Sequence, residues 1–387
     1  MKNMTFRIHT LVAALSCLGW LAAHDAQAAP ASPAERQIES AQAALAKQPD
    51  SVKSLDSLAV GLTRRARETG DVAYYQKAAD ALEKAERLQP GNQQTLRISA
   101  WVAMGRHEFA QAWRIARHYD RLYPHDPWNL SVMGDALMEL GRYRDAERAF
   151  QQMVDLKPGP AACTRVAYLR ETRGDLQGAL EMMRLALAST DSREREDRAW
   201  ILVQIAHLQE IMGDLEGSEG SYHDALNGFA GYHYALAGLA EVSLREGRAD
   251  EAAAYAAQSI QAAPHAERYL LLADAQRELG KEDEARLSES TFERLALENV
   301  GKADNENHDL VLYYLQRRPN FSRALAVARQ EVRRRRDIHT MDRLAVALAA
   351  QGHTGEAKRI LRRVLEVGTR DPLVRAHAAA LQIPHAL

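Results

Sequence analysis

The chain has 387 residues, of which 46% are hydrophobic and 26% charged, with a formal net charge of −2 and two cysteines. Such a composition belongs to a folded protein and excludes low-complexity or collagen-like chains. The near-neutral charge gives no support to general nucleic-acid or anionic-membrane binding.

The first 28 residues stand apart. Lys2 and Arg7 precede an apolar run from Leu11 to Ala23, and Ala26-Gln27-Ala28 supplies the small residues of a cleavage site. Together these read as a secretory signal peptide whose apolar core is too short to span a membrane well. The chain is therefore expected to be exported to a bacterial periplasm or secreted, beginning near Ala29. Ala14-Leu15-Ser16 before Cys17 faintly resembles a lipoprotein signal, but the apolar run continues past the cysteine. No lipid anchor is expected. Cys163 then has no disulfide partner and reads as a small buried apolar residue.

Residues 29–33 are rich in Ala, Pro and Ser and read as disordered. Glu35 to Lys47, with Ile38, Ala41 and Leu45 on one face, reads as a helix ended by Pro49. Further on, Pro127 to Pro158 shows the unit that fills the chain. Its first half puts Leu130, Met133, Gly134 and Leu137 along one side of a helix, and its second half does so with Tyr143, Ala146, Phe150 and Met153. Gly141 can end the first helix in a left-handed conformation, and Pro158 stops the second. The pattern recurs at Gly70, Gly105, Gly141, Gly174, Gly213, Gly247, Gly280 and Gly352, with Pro319 in the equivalent place. Small residues follow five places later at Ala110, Ala146, Ala179, Ser218, Ala252, Ala285, Ala324 and Ala357, and at Ala78 in the longer first copy. Two helices that approach closely leave room there for little beyond a methyl group. Asp71, Asp175 and Asp214 can cap the second helices.

Met133-Gly134, Leu137, Ala146, Phe150 and Pro158 fall where the tetratricopeptide repeat (TPR) has its Leu-Gly, Tyr, Ala, Phe and Pro, so this segment resembles that family. Trp128 departs, lying two places early for the family's Trp. The resemblance implies an all-α fold: a right-handed α-solenoid of about nine helix-turn-helix repeats. Residues 29–49 would supply a disordered start and a capping helix, 50–301 repeats one to seven, and 302–387 repeats eight and nine with a second cap. Two places break the spacing. Residues 189–198 read as a charged loop, and 282–309 as an extended second helix running into a polar connection.

Residues with catalytic chemistry in a usable pattern are missing. His107-Glu108 lacks the second histidine of a zinc-binding HExxH, and there is no GxGxxG, GxxxxGK[ST] or GxSxG. The spacing of His107, His118 and His125 puts no two of them on one helical turn. No enzyme activity, metal or cofactor is expected. Arg329, Arg333 and Arg336 could line one side of a helix, with Arg317, Arg318 and Arg323 close by, as a solvated face or an attraction for an acidic segment.

In the TPR family the first helices line a concave groove, which here implies Arg64, Arg67, Asp135, Met138, Glu139, Arg165, Tyr168, Glu171, His207, Glu210, Glu241, Asp274 and Arg277 as its wall. By the same offsets Ser99 and Val102 belong to it. Its central part is mostly acidic and suits a protein or peptide segment of some basic character. Some family members grip a carboxylate with Lys and Asn, but those places hold Val60 with Arg64, Thr95 with Ser99 and Ser131 with Asp135. The expected role is an exported scaffold or adaptor. The alternatives are a structural assembly factor of an envelope complex acting through its convex face, and an enzyme with an unrecognised site.

Overall fold

The computed structural model describes residues 32–302 and 307–383. The export signal and Cys17 lie outside the described residues. Helix α1 (Pro33–Lys47) starts earlier than the sequence reading allowed, because Ser32 and Glu35 exchange the two hydrogen bonds of a capping box and Pro33 takes the first helical position. Nine antiparallel hairpins follow: α2 (Val52–Thr69) with α3 (Ala73–Leu88), α4 (Gln93–Gly105) with α5 (Phe109–Leu122), α6 (Pro127–Glu139) with α7 (Tyr143–Leu156), α8 (Pro160–Thr172) with α9 (Leu176–Ser189), α10 (Arg195–Ile211) with α11 (Leu215–Gly228), α12 (His233–Arg245) with α13 (Ala249–Ala262), α14 (Ala266–Glu278) with α15 (Glu282–Asn299), α16 (Asn307–Gln316) with α17 (Phe321–Glu331), and α18 (Ile338–Ala350) with α19 (Thr354–Leu365). Helix α20 (Pro372–Ala380) covers the end.

Each helix packs on its hairpin mate and on the next hairpin, and alternate helices also touch, so the first helices line the inside of a stack. The small residue where each hairpin crosses is fully buried at Ala78, Ala146, Ala179, Ser218, Ala252, Ala285, Ala324 and Ala357. Phe150 illustrates the packing: it is 1% exposed, and its ring occupies the space that a side chain at Gly134 would need. The ring of Tyr222 on α11 fills the space at Gly238 on α12, here between neighbouring hairpins.

The second repeat corrects the sequence reading. Gly105 is the last residue of α4, and the left-handed turn position belongs to His107 at φ 52°. Counted from His107, the buried small residue is Ala112, whereas Ala110 is exposed. The glycine at 105 instead makes room for the ring of Tyr75. Asp175 and Asp214 cap α9 and α11 as expected, while at α3 the cap position falls to Val72, and the Asp71 carboxylate accepts from the amide of Ala73, the helix's first residue.

Both irregular places differ from expectation in part. Helix α10 begins at Arg195, shortening the charged loop, and its first turn holds Glu196 and Asp197. Helix α15 does run on to Asn299, and α15 scarcely touches α16. Polar contacts carry that junction: Gln330 donates to the carbonyl of Val300 at 2.8 Å, and Arg334 to that of Gly301 at 2.5 Å. The arginine run is therefore no helix face. Helix α17 ends at Glu331, and residues 332–334 form a turn that leads through Arg335 and Arg336 to Asp337, the cap of α18.

That turn is part of a seam. The α6–α7 turn meets the α17–α18 loop, where the amide of Arg336 donates to the carbonyl of Glu139 at 2.7 Å. The α2–α3 turn meets the α13–α14 loop, with a methyl group at Gly70 falling 2.6 Å from His265. The α8–α9 turn meets the α19–α20 loop, with Gly368 close to the carbonyl of Arg173. Each pairing joins a turn to the loop eleven helices further on, so the stack completes a superhelical turn in five and a half hairpins and rests on itself.

Candidate binding channel

The concave wall is built from the faces of the first helices, which recur along the stack. The turn register places Trp101 and Met104 in the positions assigned by sequence to Ser99 and Val102, since the marker is His107; Val102 is buried in the core. Trp101 lies edge-on to Trp128 at 5.9 Å, and the guanidinium of Arg97 sits 4.5 Å above the Trp128 ring.

The structure divides the sequence-expected wall into four groups. Met138 is removed from it: at 1% exposure it packs with Phe150 and Leu137 in the core, since helix α6 is buried on more than one side. Arg67 and Glu139 belong to the seam. Arg67 pairs with Glu196 at 2.9 Å and Asp197 at 3.0 Å at the start of α10, and these acids hold its guanidinium charged against the effect of burial. Glu139 faces Arg335 at 3.6 Å, and Arg335 also pairs with Glu331 at 2.8 Å and Asp337 at 3.8 Å. Burial, then the charge of Asp337, pushes the Glu139 carboxyl up to about 7 despite Arg335. Tyr168 stands beside the seam with Ile338 and His339, around a cleft of about 20 Å³ that has room for no more than a water.

A third group is neutralised between neighbouring helices. Arg165 donates to Asp135 at 2.8 and 3.2 Å. Arg317 grips Asp274 at 2.6 and 2.7 Å, while Arg277 turns toward Glu289 of α15 at 2.8 Å. Arg64 is left exposed on α2.

The fourth group is one cluster. Glu171 meets His207 at 3.3 Å, and Glu210, buried, meets Arg245 at 3.1 Å and Tyr222 at 3.4 Å. Burial disfavours charge on His207, but Glu171, Glu210 and Glu241 outweigh it and raise its pKa. Glu241 shows its side chain to water yet is enclosed by the surrounding helices. That enclosure, then the charge of Glu210, lifts its carboxyl to about 7 against the pull of Arg268. Arg268 pairs with Glu267 at 3.2 Å. Asp309, further along, is pushed up to about 6 by burial and then by Glu267.

Arg245, Glu267, Arg268 and Asp309 were missed in the sequence. Apart from Glu139 and Arg165, the sequence-expected wall uses only the places six and three before each marker, yet a 3.6-residue helix brings the places ten and thirteen before it onto the same stripe. Asp309 and Glu267 occupy those places relative to Pro319 and Gly280. Cys163 is buried, with its thiol pKa raised by burial, as its small apolar surroundings require. Among the described residues no group of three or more His, Cys, Asp or Glu could hold a metal, and no helix is long and apolar enough to cross a membrane.

No protein-family model matches the sequence, and no curated protein matches it. Solved structures do. A chain of the APC/C hetero-tetramer Cut9-Hcn1 superposes with a TM-score of 0.53 at 12% identity, covering 89% of this chain and 58% of that one. Human IFIT1, solved as a dimer with PPP-AAAA, gives a TM-score of 0.52 at 14% identity, covering 86% and 79%. This chain thus spans less than two thirds of the Cut9-Hcn1 chain it matches. Helices packed in consecutive pairs, a buried small residue at each crossing and these likenesses make the fold a TPR-like α-solenoid.

Proposed function

We propose that this chain is an exported, non-enzymatic scaffold that holds a protein or peptide segment of net positive charge in its inner channel. The observation that carries the reading is the cluster on α8 to α16. Five carboxylates, of Glu171, Glu210, Glu241, Glu267 and Asp309, stand against Arg245, Arg268 and His207; the two further arginines that act on Asp309, Arg317 and Arg343, are themselves held by Asp274 and Asp342. Among the described residues Glu241 has no ion-pair partner within 4 Å, and it is open to water, so an incoming lysine or arginine would relieve a charge that the protein itself disfavours. A preformed wall adds little ordering cost on this side. Export is supported by the composition of residues 1–28. The same acidic excess speaks against a phosphate-bearing occupant such as the one in the IFIT1 structure.

The test is affinity capture from an envelope extract by the mature chain and by Glu241→Lys, compared by mass spectrometry. Loss of the same captured protein in the variant, with helical circular dichroism unchanged, supports the channel. Retained capture points elsewhere on the molecule.

A second reading, structural assembly through the convex face, has one observation of its own. Leu88, Leu122 and Leu156 close α3, α5 and α7 at intervals of 34 residues and are 42%, 51% and 45% exposed. Capture that survives Glu241→Lys but is lost in Leu122→Glu would favour it.

A further inference from the structure

In an open solenoid a partner can lie sideways into the trough. Here the seam shuts that side along the first superhelical turn, at Gly70 against the α13–α14 loop, at Glu139 against Arg336, and at Gly174 against the α19–α20 loop. At the turns of Gly213, Gly247, Gly280 and Gly352 an added side chain would meet nothing within 4 Å among the described residues. The trough is thus walled into a tube where the turns after α2, α6 and α8 rest on the loops after α13, α17 and α19, and the turn edge of α10 to α15, beside the acidic cluster, is its open mouth.

The seam is also costly to part. Arg335, with a side chain only 16% exposed, is the cation shared by Glu139, Glu331 and Asp337. Drawing the α17–α18 loop away would leave Glu139 without it, and a buried pair broken on one side is strongly unfavourable. Several such contacts, spaced along one edge, would have to separate together.

We propose that the channel takes its partner by a free chain end: a terminus carrying lysine or arginine slides in along the superhelix axis while the seam stays shut. This rests on the channel reading above. It deepens that reading by restricting the partner to chains with an accessible terminus and excluding segments held between two folded domains.

The test uses oligolysine probes carrying a folded domain at one end or at both, with binding read by fluorescence anisotropy. The seam is locked in a Cys163→Ala background by bridging Arg67→Cys and Asp197→Cys with a short bis-maleimide. The expected result is that the locked and native chains bind the one-ended probe within about twofold of each other, and the doubly blocked probe at least about tenfold more weakly. Equal binding of both probes to the native chain, or loss of one-ended binding on locking, would overturn the proposal by showing that the seam opens. If neither probe binds the native chain, the channel reading itself fails and the proposal falls with it.

Discussion

The seam can be tested at a single atom. Gly141 has φ 68°, and a methyl group there would lie 2.5 Å from the backbone carbonyl oxygen of Arg336, eleven helices away. Gly247 has nearly the same conformation, φ 72°, with nothing within 4 Å of the added methyl. Placing alanine in the left-handed region costs roughly 1–2 kcal/mol at either site. Only Gly141→Ala adds a clash with backbone, which cannot swing aside as a side-chain tip could. Either the clash remains as overpacking, at about 1–3 kcal/mol, or the turns part and the Arg336-to-Glu139 hydrogen bond is lost, at about 1 kcal/mol. Native-state hydrogen exchange at the Arg336 amide reads this difference directly. Exchange in Gly141→Ala is expected to be roughly 5- to 150-fold faster than in Gly247→Ala, the factor that 1–3 kcal/mol produces. Equal protection of Arg336 in the two variants would refute the self-contact on which the channel depends.

Phe150→Ala should lower stability by about 3–5 kcal/mol in urea unfolding, because the ring fills the space at Gly134 and no neighbour can collapse into it. A loss near 1 kcal/mol would mean that the hairpin is loosely packed. Arg335→Met should destabilise by about 3 kcal/mol and enlarge the radius of gyration in X-ray scattering, since Glu139, Glu331 and Asp337 lose their shared cation; unchanged size and melting temperature would contradict this. The carboxyls of Glu241, at about 7, and Asp309, at about 6, lie above their ordinary values, so the folded chain keeps protons that the unfolded chain releases. Their contribution to stability therefore falls as pH rises through about 4.5 to 7 and is restored on acidification. Melting curves across that range should have a smaller pH slope in Glu241→Gln than in the parent chain, and identical slopes would show that the enclosure of Glu241 is not felt.

The hairpins were legible because their signals are local. Glycine at a left-handed turn, a small residue at the crossing and an apolar face all act within one repeat of about 34 residues, and nine copies reinforce one another. The error at Gly105 has the same origin. His107 adopts the left-handed turn without announcing it, while Gly105 is needed for a different reason, the ring of Tyr75 from the preceding hairpin. That displaced marker also put Ser99 and Val102 in the place of Trp101 and Met104.

The wall was legible only as a stripe. Helical periodicity names which side chains point inward, but not which of them meet a neighbour of opposite charge. Asp135 with Arg165 are 30 positions apart and Asp274 with Arg317 are 43 apart, and both pairs depend on how one hairpin is rotated on the next. Arg333 to Arg336 looked like a helix face because periodicity carries no warning that α17 stops at Glu331. By itself the sequence determined that this chain is a line of helical hairpins with a partly acidic inner side, because repeat geometry is set within and between adjacent units. Only the tertiary structure decided that the line closes on itself. Small rotations from hairpin to hairpin accumulate, and after eleven helices their sum brings Gly141 against Arg336, a contact between residues 195 positions apart that no local pattern encodes.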